Sequence, residues 1–160
     1  ANALACLAAE IVAWRRQRTA RTVPLGGLLQ PLVSQLVLTA GLLIGALKAF
    51  REAKIKQLQI KMVRVPGSWE IPLACHMLGR TKKYAAIVTL GAVIKGSTTP
   101  DYWINHAIFP ALQEVAEEYM IPVTLGIITC NTWKQAVARS RNNKENRGYV
   151  AAKAAVEHSS

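Results

Sequence analysis

The run from Tyr84 to Ile94, Tyr-Ala-Ala-Ile-Val-Thr-Leu-Gly-Ala-Val-Ile, carries no charge. A strand sends alternate side chains to opposite faces, so an apolar run of this kind needs cover on both. The usual solution is a parallel sheet with helices on each side. The rest of the chain reads in that rhythm. Leu28–Val33 is a first strand, although Pro31 cannot donate to a ladder. Ala40–Glu52 is a helix, with Leu43, Ala46, Leu47 and Phe50 along one face. The alternating Leu58, Ile60 and Met62 lead into a strand at Val63–Val65, and Ile71–Leu78 is a short helix closed by Gly79. After the central strand, Asp101 caps a helix running to Met120, with Ile104, Ile108, Ala111, Val115 and Tyr119 on its stripe and Pro110 expected to kink or split it. Pro122–Thr129 is a fourth strand. Helices at Thr132–Ser140 and Gly148–Glu157 flank a polar loop. The expected fold class is therefore α/β, with a four-stranded parallel sheet between helical layers.

Length allows one such domain, over residues 22–160, preceded by a basic appendage over residues 1–21. Twenty Lys and Arg against nine acids give a net charge of +11, which favours anionic partners such as phosphates, nucleic acid or acidic lipid without choosing among them. Trp14 to Arg21, an arginine cluster beside an aromatic, could clamp RNA or phosphate; it reads equally as a solvated tail or a segment packing on a neighbouring subunit. Cys6, Cys75 and Cys130 lie far apart, with no metal-ligand spacing, and the histidines are scattered, so no metal and a reducing compartment are expected. The uncharged stretch Thr22–Leu47 follows several arginines, yet its prolines and glycines leave only Leu36–Leu47 uninterrupted, too short for a bilayer. With no secretory signal in evidence, a cytoplasmic location and no membrane span are expected.

In a parallel sheet the loops leaving the strands' carboxyl ends converge along one edge, where ligands bind. Here they are Ser34-Gln35, Pro66–Glu70, Lys95–Pro100 and Cys130–Thr132. Lys95, Gly96, Ser97 and Thr98 offer backbone N–H groups, two hydroxyls and an ammonium ahead of a helix, a setting for phosphate. The spacing is not that of a Walker loop. Glu70, behind a Pro-Gly turn, either caps the next helix or binds donors such as sugar hydroxyls and ring N–H groups. Arg139 and Arg147 bracket a loop that could fold onto the phosphate. Asp101 is the chain's single aspartate, and His106 is the histidine nearest these loops.

Taken together, Val65–Pro72, Gly91–Thr98, Gly126–Thr129, the spacing to Arg139 and the stretch Asn146-Arg147-Gly148 resemble the 6,7-dimethyl-8-ribityllumazine synthases of riboflavin synthesis, from about Leu42 to Glu157. The resemblance implies a flavodoxin-like three-layer sandwich, assembled as pentamers that in some members build an icosahedral shell, with sites between subunits. It implies a transferase that condenses 5-amino-6-(D-ribitylamino)uracil with 3,4-dihydroxy-2-butanone 4-phosphate and needs no cofactor. By position, Ser68, Trp69 and Glu70 would hold the ribityl chain and ring. Val93 and Ile94 would meet the pyrimidine through their backbone, and Gly96, Ser97, Thr98 and Arg139 would hold the phosphate. Lys95 stands beside them, and Arg147 takes the place of the family's lysine.

The chain departs from the family's pattern at three places. The aromatic after the first strand falls on Ser34, with Gln35 where Asn follows; the aromatic lent by a neighbouring subunit falls on Leu125; and the histidine falls on Pro100. Asp101 and His106 remain as groups able to move protons. His106 is displaced by six residues, about 9 Å along a helix and roughly 240° around it. Positioning two reactants is worth more than general acid–base help, which is typically about 10²–10⁴-fold. Losing the stacking rings therefore bears harder on catalysis than losing the histidine. The alternative to a working enzyme is a catalytically weak or inactive shell protein on the same fold, able to bind nucleic acid through its basic N-terminus.

Overall fold

A computed structural model describes residues 9–10, 29–96 and 100–159. Its centre is β3 (Ile87–Ile94), the run that sequence marks as buried on both faces. β3 pairs in parallel with β4 (Val123–Cys130), in unbroken register from Ile87 opposite Val123 to Ile94 opposite Cys130. On one face, Ile87, Val93 and Ile127 meet Ile71 and Cys75 of α2 (Ile71–Arg80) and Ile108, Leu112 and Val115 of α3 (Pro100–Tyr119). On the other, Leu90, Ala92 and Ile128 meet Leu38, Leu42, Ala46 and Ala49 of α1 (Leu29–Glu52). Ala136 of α4 (Trp133–Ser140) and Ala152 of α5 (Arg147–His158) join that second cluster. Helices thus cover both faces of the sheet, as the two-faced apolar run requires.

The far half of the sheet differs from expectation. Its order is β2-β1-β3-β4, with β2 at Arg64–Val65 and β1 at Ala9–Glu10. β1 runs antiparallel to both neighbours and meets β3 only through Glu10 opposite Leu90. Four parallel strands do not form among the described residues: of Leu28–Val33, read as the first strand, residues 29–33 lie within α1 and Leu28 is outside the described residues. Pro31 explains the misreading: it falls in the first turn of a helix, where the missing N–H would find no partner anyway. The slot between β2 and β3 is instead met by Ala9–Glu10, from the stretch read as a basic appendage. Below that short contact, Leu43, Leu47 and Phe50 of α1 face Met62 and Val88 across an apolar groove of about 500 Å³. The stripe expected to be α1's buried face is therefore only half covered, and the fully buried stripe lies one residue earlier, at Leu38, Leu42, Ala46 and Ala49.

Two smaller expectations also change. Pro110 does not split α3, which runs unbroken from Pro100 to Tyr119. Pro110 is exposed, so the His106 carbonyl it leaves without an intrahelical partner lies on the wet side of the helix. Gly79 does not end α2. It lies inside the helix, where a β-carbon would collide with the Tyr119 ring of α3, and the left-handed residue that follows the helix is Lys82, at φ 55°. Tyr119 also reaches His76 Nε2 at 2.8 Å, tying α2 to α3 away from the strands' carboxyl ends.

Candidate active site at the carboxyl edge of the sheet

Each of β2, β3 and β4 ends in a turn that leads into a helix. After Val65, Pro66-Gly67 opens a single 3₁₀ turn, Ser68–Glu70, which runs straight into α2 with Pro72 in its first turn. This turn packs against both β3 and α3, and Ile71, which follows it, shares a buried cluster with Val93 of β3 and Ile108 of α3. Ser68 is 2% exposed whereas Trp69 is 57% exposed, which places one side chain inside the wall and the other over it. Glu70 occupies the N-cap position of α2 but makes no side-chain cap hydrogen bond. Of the two roles open to it in sequence, capping is not the one adopted.

At the end of β3, the Lys95 N–H donates to the Cys130 carbonyl at 2.9 Å, carrying the pairing one residue beyond the strand. Gly96 follows with open space where a β-carbon would stand. Both residues are exposed. Ser97 and Thr98 lie outside the described residues. Asp101 is half-buried in the first turn of α3 rather than capping it, because Pro100 already takes the first helical position. His106 sits elsewhere on the same helix. It is exposed, its ring lies 3.9 Å from that of Tyr102, and its Nδ1–H donates to the Tyr102 carbonyl at 2.9 Å. That bond fixes the tautomer and leaves Nε2 as the basic nitrogen of the neutral ring. Five residues separate it from Asp101, a rotation of roughly 140° around the helix.

After β4, the Cys130–Thr132 turn is occupied with holding α4. Thr132 Oγ1 accepts from the Gln135 N–H at 3.3 Å, and Gln135 Oε1 accepts from the N–H groups of Asn131 and Thr132. Burial raises the pKa of the Cys130 thiol, an effect opposed by backbone hydrogen bonding at Thr132 and Ala136 and by the Arg139 guanidinium. Arg139, exposed in the last turn of α4, therefore lies close enough to the end of β4 for its charge to be felt there. Arg147, also exposed, opens α5.

Ser34, Gln35 and Leu125 do not stand at this edge. Ser34 and Gln35 lie within α1, not in a loop after a strand. Leu125 is 42% exposed on β4, five residues before the strand ends, or about 16 Å from the edge. Among the described residues, no group of three His, Cys, Asp or Glu stands where it could hold a metal ion.

Sequence assigns Asn146 no role beyond its place in the stretch Asn146-Arg147-Gly148. Asn146 is completely buried, and its amide nitrogen donates to the carbonyls of Gly41, Ser140 and Arg141, each at 2.9 Å. Its Oδ1 accepts from the Tyr149 N–H at 3.1 Å, capping α5. A β-carbon on Gly45 would collide with this amide, and one on Gly148 with the Leu42 carbonyl. Asn146 thus fixes α1, the end of α4 and the start of α5 together, and with them the helices that carry Arg139 and Arg147. An Asn directly before a helical pattern is a cap signal, and that signal could have found it.

Residues 35–160 match the 6,7-dimethyl-8-ribityllumazine synthase family. The chain belongs to that family. The 6,7-dimethyl-8-ribityllumazine synthase of Coxiella burnetii is 42% identical over 118 residues, covering 74% of this chain and 78% of the relative. That of Buchnera aphidicola is 38% identical over 117 residues, covering 72% and 74%. The resemblance carried by Val65–Pro72, Gly91–Thr98 and Gly126–Thr129 is borne out. The match begins at Gln35, so Ser34 lies one residue outside it.

Proposed function

We propose that this chain is a 6,7-dimethyl-8-ribityllumazine synthase. In riboflavin synthesis it joins 5-amino-6-(D-ribitylamino)uracil to 3,4-dihydroxy-2-butanone 4-phosphate. The ring amine condenses with the ketone and releases water, inorganic phosphate leaves, and the ribitylamino nitrogen closes the second ring with loss of another water. The observation that carries this reading is the packing of the Ser68–Glu70 turn against β3 and α3, in a chain of this family. In that reading Ser68, Trp69 and Glu70 hold the ribityl chain and ring, Val93 and Ile94 present their backbone to the pyrimidine, and Gly96, Ser97, Thr98, Lys95 and Arg139 receive the phosphate, with Arg147 beside it. Asp101, on the helix against which the Ser68–Glu70 turn packs, is the proton-handling group of this reading, and His106 would act only on a substrate reaching round α3. No cofactor enters.

The architecture suits a flavodoxin-like sandwich. Helices cover both faces, and the order β2-β1-β3-β4 follows the start of that fold's 2-1-3-4-5 order. Trp69, Leu73 and Met77 form an exposed apolar stripe at a spacing of four residues, which supports assembly with further copies of the chain, as a pentamer or a shell of pentamers. No helix of the described residues is long and apolar enough to cross a membrane, which suits a cytoplasmic enzyme.

The test is absorbance-monitored lumazine formation by the purified protein. The expected result is measurable turnover, with Arg139→Ala raising KM for the phosphorylated ketone about 10–100-fold, as loss of a charged hydrogen-bond partner does. Absence of turnover in a properly assembled protein overturns the reading. It would favour the second one, a shell subunit that has lost catalysis, which the helical setting of Ser34 and Gln35 supports: the position for ring stacking is not presented by a strand-end loop.

A further inference from the structure

Among the described residues, three buried side-chain oxygens have no hydrogen-bond partner: Ser68 Oγ, Asp101 Oδ1 and Asn105 Oδ1. They are not scattered. Ser68 lies on the 3₁₀ turn, and Asp101 and Asn105 lie one turn apart on the same side of α3, the helix against which that turn packs. Elsewhere the protein satisfies its buried polar groups closely, as Asn146 shows with every donor and acceptor engaged. Polar atoms taken out of water without a partner are costly, and native proteins seldom keep them without a use.

The chemistry of the three atoms specifies what would satisfy them. A carboxylate oxygen and an amide carbonyl oxygen only accept, and a serine hydroxyl does either. The matching group must therefore bring N–H or O–H donors, and a phosphate is repelled. Lys95, by contrast, directly follows β3, and Arg139, in the last turn of α4, is close enough for its charge to be felt at Cys130. The two chemistries divide the site, with the anion toward the cations and the donor-rich end of the substrate toward α3.

From this we infer that Asn105 is a substrate-positioning residue which, with Asp101, accepts hydrogen bonds from the amino or hydroxyl groups of the ribitylaminopyrimidine. The inference rests on the lumazine-synthase reading and adds to it a residue that, as a lone polar side chain on a helix, gives no signal in the sequence.

Calorimetric titration of the intact protein with 5-amino-6-(D-ribitylamino)uracil, alongside steady-state kinetics, tests it. Asn105→Leu keeps the side chain's bulk and removes the acceptor. It should weaken pyrimidine binding about tenfold, the worth of one buried hydrogen bond, and leave KM for the phosphorylated ketone unchanged. Asn105→Asp keeps an acceptor oxygen and should bind within about threefold of the parent on the same scale. Unchanged pyrimidine binding in Asn105→Leu, in a parent that binds and turns over, overturns the inference alone. So does equal loss in both variants with a matching fall in melting temperature, which would mean that Asn105 and Asp101 serve only the helix. A parent protein that binds no pyrimidine overturns the functional reading and this inference with it.

Discussion

β3 and β4 are paired along eight residues, whereas β1 meets β3 at a single pair and β2 at two. The contrast divides the molecule into a fully braced half and a thin one. On the braced side, every strand residue has a partner, and the loops that leave it, at Lys95-Gly96 and Cys130–Thr132, rest on a fixed frame. On the thin side, two described residues of β1 stand between β2 and β3, and α1 lines a groove among the described residues. One helix samples both conditions: Leu42 is completely buried against the ladder, and Leu43, its neighbour, lines the groove. Position relative to the sheet, not residue type, sets what each leucine contributes.

The largest break in this comparison comes from Asn146, which braces the finished half. Asn146→Ala strips a partner from three carbonyls and from the Tyr149 N–H at once, and should lower unfolding free energy by about 3 kcal/mol or more in chemical denaturation. A loss below about 1 kcal/mol would show that water replaces the amide freely. Next comes the leucine pair. Leu42→Ala should cost about 3 kcal/mol, and Leu43→Ala about 1 kcal/mol, since the groove leaves less to lose. Equal costs would mean that the groove is filled in solution. A third test follows from Cys75, which burial pushes up to about 12 from 9.0. The folded chain holds a proton there that the unfolded chain gives up, so stability is unaffected by this group below pH 9. It falls as pH rises from about 9 to 12. Cys75→Ala should flatten that part of the stability–pH curve. The smallest effect belongs to Met120, 88% exposed and left-handed at φ 51° at the end of α3. Met120→Gly should raise stability by about 0.5–1 kcal/mol, because glycine adopts that conformation without strain.

The braced half was also the legible half. Tyr84–Ile94 and Pro122–Thr129 announce their strands through local composition, and the helices that cover them follow from the same alternation. The thin half depends on what the sequence does not display. Whether Pro31 spoils a strand or starts a helix depends on where that helix begins. A two-residue strand such as Ala9–Glu10 exists only through its partners. Gly79 looked like a helix end because a glycine's use as a contact surface for a distant tyrosine leaves no local mark. In the site, Ser68–Glu70 and Lys95–Thr98 were visible as turn chemistry after apolar runs. Asn105 was not, since a polar residue on a helix reads the same whether it faces solvent or a ligand. The helical setting of Ser34 was hidden for the same reason as the start of α1.

The bond from Asn146 to Gly41 spans 105 residues of chain, and it has a consequence for the protein's birth. α1 leaves the ribosome well before its main partner, α5. Until α5 emerges, α1 can hide its leucines only against the sheet, and the glycine notches at Gly41 and Gly45 stand empty. The nascent chain therefore carries an apolar helix without its lock until α5 has followed it, and closes only then.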